Sequence, residues 1–521
     1  MADLDREQQR AELYRGIWNI ANGLRGSVDG WDFKQYVLGM LFYRYISENL
    51  TKYINDGEHA AGDTAFNYAE LSDEDAEGAK EGLVEEKGFF ILPSMLFENV
   101  RKAADKDSTD LNEKLEKVFA YIEGSAVGTE SEDDLSGLFD DMDVNSNKLG
   151  GTVEERNKRL VLLLDGIGDM NLGDYKDSKI DAFGDAYEYL MGMYASNAGK
   201  SGGEFFTPQE VSELLTRIAI GDKKEINKIY DPACGSGSLL LKAGKLIGKE
   251  NVRQGFFGQE INITTYNLCR INMFLHDIGY NKFDIAHGDT LTKPAHWNDE
   301  PFEAIVSNPP YSIHWAGDDD ATLINDPRFS PAGVLAPKSK ADFAFIMHSL
   351  SWLATDGTAA IVYFPGIMYR GGAERKIRRY LIDNNFVDCV IQMPGNLFYG
   401  TSIATCIMVL RKSKADNKVL FIDASKEFIK VTNNNKLTED NIMHIYNWWH
   451  DRKSVPYTCQ LVDAAKIAEE DYNFTVSTYV EQEDTREKID IKVLSQEIHD
   501  IVAREQVLRD EIDKIIAEIE G

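Results

Sequence analysis

The sequence has no stretch approaching the ~20 consecutive uncharged apolar residues that a membrane-spanning helix needs. Its first residues, Met1-Ala-Asp-Leu-Asp-Arg-Glu, lack the basic-then-apolar profile of a secretory signal. Cysteine is scarce. Cys234, Cys269, Cys389, Cys406 and Cys459 are scattered, odd in number and form no C-x-x-C pair, which argues against a disulfide framework and a zinc ribbon. A reduced, cytoplasmic chain with no membrane segment is expected. Positive charge is also in short supply: 56 Lys and Arg face 87 Asp and Glu, a net charge of −31. Residues 51–150 hold 25 acidic and 9 basic residues, so −16 falls in about a fifth of the chain. Such a chain lacks the basic footprint with which a nucleic-acid protein grips phosphates. If it works on DNA, a partner must supply much of the grip.

What is present is ordinary for a folded protein: 521 residues, 43% hydrophobic and 27% charged. At roughly 100–200 residues per domain, two to four domains are expected. Residues 1–170 read as a helical N-terminal domain, because apolar residues recur at helical spacing from Leu13, Ile17 and Ile20 to Tyr36, Val37, Met40 and Leu41. Acidic stretches around 56–82 and 123–150 read as loops. Over residues 171–415, short β-rich runs alternate with helical patterns. Strands are predicted at 226–230, 255–258, 283–286, 304–307, 359–364, 387–392 and 405–410, and helices at 208–219, 237–247, 263–276, 341–354 and 373–384. This is an α/β pattern, a doubly wound and mostly parallel sheet with ligands at the carboxyl ends of its strands. The last two strands are joined by a loop alone, so one of them should run antiparallel. Residues 416–485 read as a mixed connecting segment and 486–521 as a C-terminal helix.

Chemistry concentrates in the middle region. Lys228-Ile-Tyr-Asp231-Pro-Ala-Cys-Gly235-Ser236-Gly237-Ser238 is a strand feeding a Gly-x-Gly turn that opens a helix. Glycines there let backbone N–H groups approach a ligand at the positive helix end. On this reading, valine at Gly237 would block the ligand and leave the fold standing. The third glycine of the dinucleotide fingerprint is replaced by Leu240. Asp231 favours a cationic group on the ligand, and Glu260 sits where this architecture places a ribose-diol acceptor. A nucleoside with a cationic, non-phosphate arm fits the pair, and S-adenosylmethionine is such a ligand. After the next buried strand comes Asn308-Pro309-Pro310-Tyr311. Prolines fix φ and cannot donate hydrogen bonds, so the loop presents acceptors. The Asn308 carboxamide oxygen and the Pro309 carbonyl suit both N–H bonds of an exocyclic amine, with Tyr311 stacking on its planar base. Reaching such an amine in duplex DNA requires flipping the base. Upstream, Thr207 and Glu210 have capping-box spacing around Pro208, which leaves Phe205 and Phe206 to pack on a cofactor. Asp289, at the end of the third strand, is placed to accept from an adenine amine.

No H-E-x-x-H, G-x-S-x-G or metal-ligand motif occurs, so no metal is expected. Ala198-Gly-Lys-Ser201 imitates the end of a phosphate loop, but Tyr194 occupies its first glycine position. The ordered set Glu204-Phe-Phe-Thr-Pro-Gln209, Asp231-Pro-Ala-Cys-Gly-Ser-Gly-Ser238 and Asn308-Pro-Pro-Tyr311 resembles the N6-adenine DNA methyltransferases of the γ arrangement. More closely, the chain resembles the modification subunit of type I restriction–modification systems. Supporting stretches are Gly30–Gly39, Gly184–Leu190, Gly333–Phe345 and Asp471–Phe474. The resemblance implies site-specific adenine methylation of double-stranded DNA with S-adenosylmethionine. Asn308, Pro309, Pro310 and Tyr311 would be catalytic; Glu204, Phe205, Phe206, Thr207, Pro208, Gln209, Ser236, Gly237, Ser238 and Glu260 would hold the cofactor, with Asp231 nearby. It also implies a separate specificity subunit, a second copy of this chain and a restriction (translocase) subunit in the full complex. A glutamine-N5 protein methyltransferase shares Asn-Pro-Pro-Tyr, but the helical front and terminal seam are surplus to it. An assembly protein without activity is disfavoured by the intact Asn308–Tyr311. Two further features call for partners: the basic run Arg370–Arg379, expected beside DNA phosphates, and a heptad seam from Leu494 to Ile519, expected to pack on the specificity subunit.

Overall fold

The computed structural model describes residues 2–23, 30–104, 109–172, 182–197, 207–297, 299–398, 401–431, 434–483 and 491–521. They divide into two compact units, Met1–Val480 and Glu481–Gly521. The first is built on nine strands in the order β11-β8-β6-β7-β5-β4-β1-β2-β3. These are β1 (Ile226–Asp231), β2 (Val252–Glu260), β3 (Phe283–His287), β4 (Phe302–Ser307), β5 (Leu353–Tyr363), β6 (Val387–Gln392), β7 (Cys406–Arg411), β8 (Lys418–Asp423) and β11 (Cys459–Asp463). β9 (Ile429–Val431) and β10 (Asn434–Lys436) form a separate antiparallel pair.

β3, β2, β1, β4 and β5 run parallel, joined by helices that include Ser238–Ile247, Ile263–Leu275 and Asp342–Trp352. Their central residues are buried and rich in Ile, Val, Phe and Tyr, as a sheet covered on both faces requires. The chain leaves β1 for β2 and β3 on one side and returns to β4 on the other. Connections therefore diverge above the carboxyl ends of β1 and β4 and open a crevice there. β7 is antiparallel to both β5 and β6, the reversal expected from its short link. The sheet does not end at 415: β8 pairs parallel with β6, and β11 pairs antiparallel with β8. Strand–helix alternation already breaks after β6, and without that rhythm β8 and β11 read as connector.

The helical front is fused to the sheet layer. Helices Ala2–Gly23, Gly30–Ala61, Leu111–Ser125 and Val153–Gly168 bury Ile17, Val37, Leu41, Leu115 and Leu164 in one apolar cluster that continues to Leu268, Phe274 and Phe283. The Phe42 ring lies 5.4 Å from Phe139 and 5.8 Å from Phe274. Thr264 and Asn267 donate to Asp141 at 3.0 and 3.2 Å, and the buried Arg270 guanidinium donates to the Asp133 and Ser136 carbonyls at 2.7 and 2.9 Å. The acidic stretch at 56–82 is less loop-like than its charge suggests. Helix Gly30–Ala61 runs into it, and Asp73–Glu77 is helical, with Ser72 accepting from the Asp75 N–H. Three acids in that first turn face the positive end of the helix, where negative charge is stabilising. Among the described residues no helix is long and apolar enough to cross a membrane.

Candidate active site

A cavity of about 340 Å³ opens at the carboxyl ends of β1 and β4. Of the residues singled out in the sequence, it brings together Thr207, Asp231, Gly235, Ser236, Ser238, Glu260, Asp289, Asn308 and Pro310. Pro208, Gln209, Gly237, Pro309 and Tyr311 stand outside its described lining, and Glu204, Phe205 and Phe206 lie outside the described residues. The wall also contains Leu239, Ile313, His314, Trp315 and Phe345, which sequence reasoning missed. The signal for three of these was available: Ile313-His-Trp315 is an apolar and aromatic run just after the proline-rich loop.

Asp231 ends β1 and is 1% exposed. The Ala233 N–H and the Ser307 hydroxyl donate to its Oδ1 at 3.0 and 2.8 Å, leaving Oδ2 for a ligand. Burial pushes the Asp231 carboxyl up to about 7, against the pull of those two bonds. The chain then turns through Gly235 and Gly237, whose φ angles of +54° and +78° favour glycine. The Gly235 N–H donates to Glu260 Oε2 at 3.1 Å and the Asn262 N–H to Oε1 at 2.8 Å. Each carboxylate oxygen keeps a second acceptor site. Burial raises the Glu260 carboxyl as well. Asp289 accepts from the Leu291 N–H at 3.0 Å and the Thr292 hydroxyl at 2.8 Å, so it both starts a turn and lines the cavity.

The structure adds a packing role to Gly237 and changes what valine there would do. A Cβ at this position would lie 2.7 Å from Cys269 Sγ and 2.8 Å from Met273 Cε, in the seam between helices Ser238–Ile247 and Ile263–Leu275. Helix packing and left-handed backbone demand glycine here. Gly237→Val should therefore lose about 2–5 kcal/mol of stability, combining ~1–3 for overpacking with ~1–2 for the backbone. The measurement is a urea denaturation curve followed by circular dichroism. An unmoved midpoint would show that the seam opens freely.

β4 runs directly into Asn308-Pro-Pro-Tyr311. Asn308 Nδ2 donates to Thr207 Oγ1 at 3.0 Å, and the Tyr311 hydroxyl donates to Asn308 Oδ1. The Tyr311 ring packs on Phe364, with centroids 4.2 Å apart and planes tilted by 44°. The expected capping box does not form. Helix Gln209–Ile220 has Pro208 at its N-cap, and the Pro208 carbonyl accepts from the N–H groups of Val211 and Ser212. Thr207 stands one residue too early to cap, and its hydroxyl meets Asn308 instead.

Two other clusters bear on earlier expectations. Asp284, His296 and Asp299 hold metal-ligand-type atoms within 4.8 Å of one another. His296 Nε2 meets the Gly258 carbonyl at 3.0 Å, while Nδ1 lies 3.2 Å from Asp299 and 3.6 Å from Asp284. With acceptors at both nitrogens, the ring is suited to carry two protons. Burial opposes that charge, but the bond to Asp299 and the charge of Asp284 outweigh it and raise the His296 pKa. Lys228 Nζ lies 3.7 Å from Asp299, so a side-chain cation already faces this pair of carboxylates. The basic run is built into the fold. Arg370 pairs with Glu374, Arg375 with Asp471 and Arg379 with Asp383, while buried Arg378 donates to the carbonyls of Tyr472 and Ile367. DNA phosphates would have to compete with these partners.

Comparison with known proteins agrees with this geometry. The N-6 DNA Methylase family pattern matches residues 178–488, and the HsdM N-terminal domain pattern matches residues 13–167. The type I restriction enzyme MpnII methylase subunit of Mycoplasma pneumoniae is 50% identical over 99% of this chain and 97% of its own length. The crystal structure of a type I restriction-modification system methyltransferase subunit from Streptococcus thermophilus matches with a TM-score of 0.81 and 34% identity, covering 91% of this chain and 100% of that one. A chain from a structure concerned with complex assembly of the type I system shares the fold at 17% identity, with a TM-score of 0.66 over 98% of this chain and 99% of its own. The protein thus belongs to the N-6 DNA methylase family as a methylase subunit of a type I restriction–modification enzyme, an adenine-specific DNA methyltransferase.

Proposed function

We propose that the cavity at β1 and β4 holds S-adenosylmethionine and that Asn308, Pro309, Pro310 and Tyr311 act on the N6 amine of a flipped adenine. The observation that carries this reading is the convergence of two buried carboxylates, Asp231 and Glu260, with Asn308 on one cavity. Its size falls within the ~300–1,000 Å³ of small-molecule sites. Asp231 would face the cationic arm and Glu260 the ribose hydroxyls. Ser236, Ser238, Gly235 and Asp289 complete the wall, and Glu204 to Gln209 form the approach. When bound, the cofactor supplies an electrophilic methyl group. The Asn308 oxygen and the Pro309 carbonyl accept the two N–H bonds of the amine and aim its lone pair, and Tyr311 holds the base by its face. The displaced amine proton passes to water.

The same reading includes DNA, a specificity subunit, a second copy of this chain and the restriction subunit as partners, with the complex in the cytoplasm. A net charge of −31 and locally paired arginines support it, because the grip on phosphates must come from elsewhere. In domain terms, 1–170 is the helical front, 171–415 the main catalytic part, 416–485 its extension and 486–521 the assembly helix.

The Asp231 carboxyl makes cofactor binding depend on pH. In the free protein it titrates at about 7 because burial disfavours its charge. A cationic ligand needs the carboxylate, so binding below that pH must release a proton. Affinity for S-adenosylmethionine should fall from pH 8 to pH 6, by up to about tenfold per unit below the free pKa. Asp231→Asn should remove the step. Calorimetry across this range is the test, and equal affinity at pH 8 and pH 6 would take Asp231 away from the cation.

A further inference from the structure

A carboxamide is nearly symmetric in shape. Turning it over exchanges its oxygen for its NH₂, and an NH₂ facing the target amine would set donors against donors. Some neighbour must therefore hold the Asn308 side chain with its oxygen toward the substrate. Two hydroxyls meet it: the Tyr311 phenol at Oδ1 and the Thr207 alcohol at Nδ2, 3.0 Å away. A phenol is the better donor and an aliphatic hydroxyl the better acceptor, so this pair sorts the two ends. An amide oxygen offers two acceptor sites, so the arriving amine shares Oδ1 with the Tyr311 phenol. Thr207 holds the other end. It is 5% exposed, its hydroxyl caps no helix, and its bond spans 101 residues of sequence to tie the entrance of helix Gln209–Ile220 to the loop after β4.

We infer that Thr207 is a positioning residue for the methyl transfer: its hydroxyl holds the Asn308 amide by Nδ2 so that Oδ1 faces the adenine amine. This rests on the reading of Asn308 as that amine's acceptor, and it assigns the Thr207 hydroxyl to Asn308, leaving the cofactor role that the family resemblance implies for Thr207 to its backbone and methyl group. A hydroxyl serving only the cofactor would show in affinity, whereas a positioning hydroxyl shows in turnover at saturating cofactor.

The test uses the full chain assembled with its specificity subunit, tritium-labelled S-adenosylmethionine and bacterial genomic DNA lacking N6-methyladenine. Thr207→Val should lower kcat about 10–100-fold, up to the scale of a reacting group misplaced by ~1 Å, with the cofactor dissociation constant within about twofold of wild type. Thr207→Ser keeps the hydroxyl and should recover most of the rate. In an Asn308→Ala background, Thr207→Val should cost nothing further. If valine does not fold at this position, Thr207→Ala set against Thr207→Ser carries the same comparison. Weakened cofactor binding with intact kcat would overturn the inference, as would a serine variant no better than alanine. Full activity of Asn308→Ala alone would instead remove the reading of Asn308 on which the inference stands.

Discussion

Asn308→Ala is expected to methylate DNA about 10²–10³-fold more slowly than wild type, the scale of removing one preorganised hydrogen-bonding group from a transition state. The amine nitrogen of adenine is a poor nucleophile while its lone pair is shared with the ring. Two acceptors on its N–H bonds draw that pair toward the nitrogen, and alanine leaves only the Pro309 carbonyl. The loss corresponds to about 2.7–4 kcal/mol in the barrier. Little of it should appear in stability. Asn308 is only half-buried; of the two groups it would abandon, the Thr207 hydroxyl lines a cavity that admits water and the Tyr311 ring keeps its packing on Phe364. Cofactor affinity should change by less than about threefold, since Asp231 and Glu260 keep their own partners. Single-turnover methylation and calorimetry on the same preparation separate the two quantities. Turnover at the wild-type rate would sink the assignment of Asn308.

What the sequence made legible was whatever is written locally. The seven strands of the central region and the helices between them lie close to where periodicity placed them, because buried parallel strands read as short apolar runs. Asp231, Glu260 and Asn308 were legible because strand ends in this architecture converge on one crevice. What stayed hidden depends on contacts between distant segments. Valine at Gly237 looked compatible with the fold until Cys269 and Met273, on another helix, showed what fills the space. Thr207 satisfied a capping-box spacing, yet its hydroxyl met a residue 101 positions away. Arg375 looked free for phosphate because its partner, Asp471, lies in the Asp-Tyr-Asn-Phe stretch nearly a hundred residues on. There Asp471 and Tyr472 adopt positive φ, and the Phe474 N–H reaches the Met368 carbonyl. That stretch thus fastens the helix Ala373–Asp383 to the fold, a role that composition and periodicity could not have assigned.

Removal of residues 490–521 is expected to abolish stable association with the specificity subunit while leaving S-adenosylmethionine binding intact. The segment contains a single helix, Ile491–Glu520, about 45 Å long at ~1.5 Å per residue. Leu494, Ile498, Ile501, Leu508, Ile512, Ile515 and Ile519 recur along it in alternating steps of four and three, with Glu505 in the one polar place. An average spacing of 3.5 residues keeps a stripe facing one partner only if two helices wind around each other with a left-handed twist. The seven apolar residues are 43% to 78% exposed, with Val502 and Ile516 widening the stripe. Burying them at about 1.5 kcal/mol or more each would contribute on the order of 10 kcal/mol before the entropy of association is subtracted. That is enough to decide whether a complex forms. Glu505, bonded to Arg509 at 2.6 Å, is the kind of polar interruption that selects register at the expense of affinity. Every described residue lining the cavity at β1 and β4 lies within Met1–Val480, so the truncated chain should bind S-adenosylmethionine as the full chain does. Sequence-specific methylation should disappear with the partner. Size-exclusion chromatography of the truncated chain mixed with the specificity subunit is the measurement. A stable co-eluting complex would show that the joint lies elsewhere in the fold.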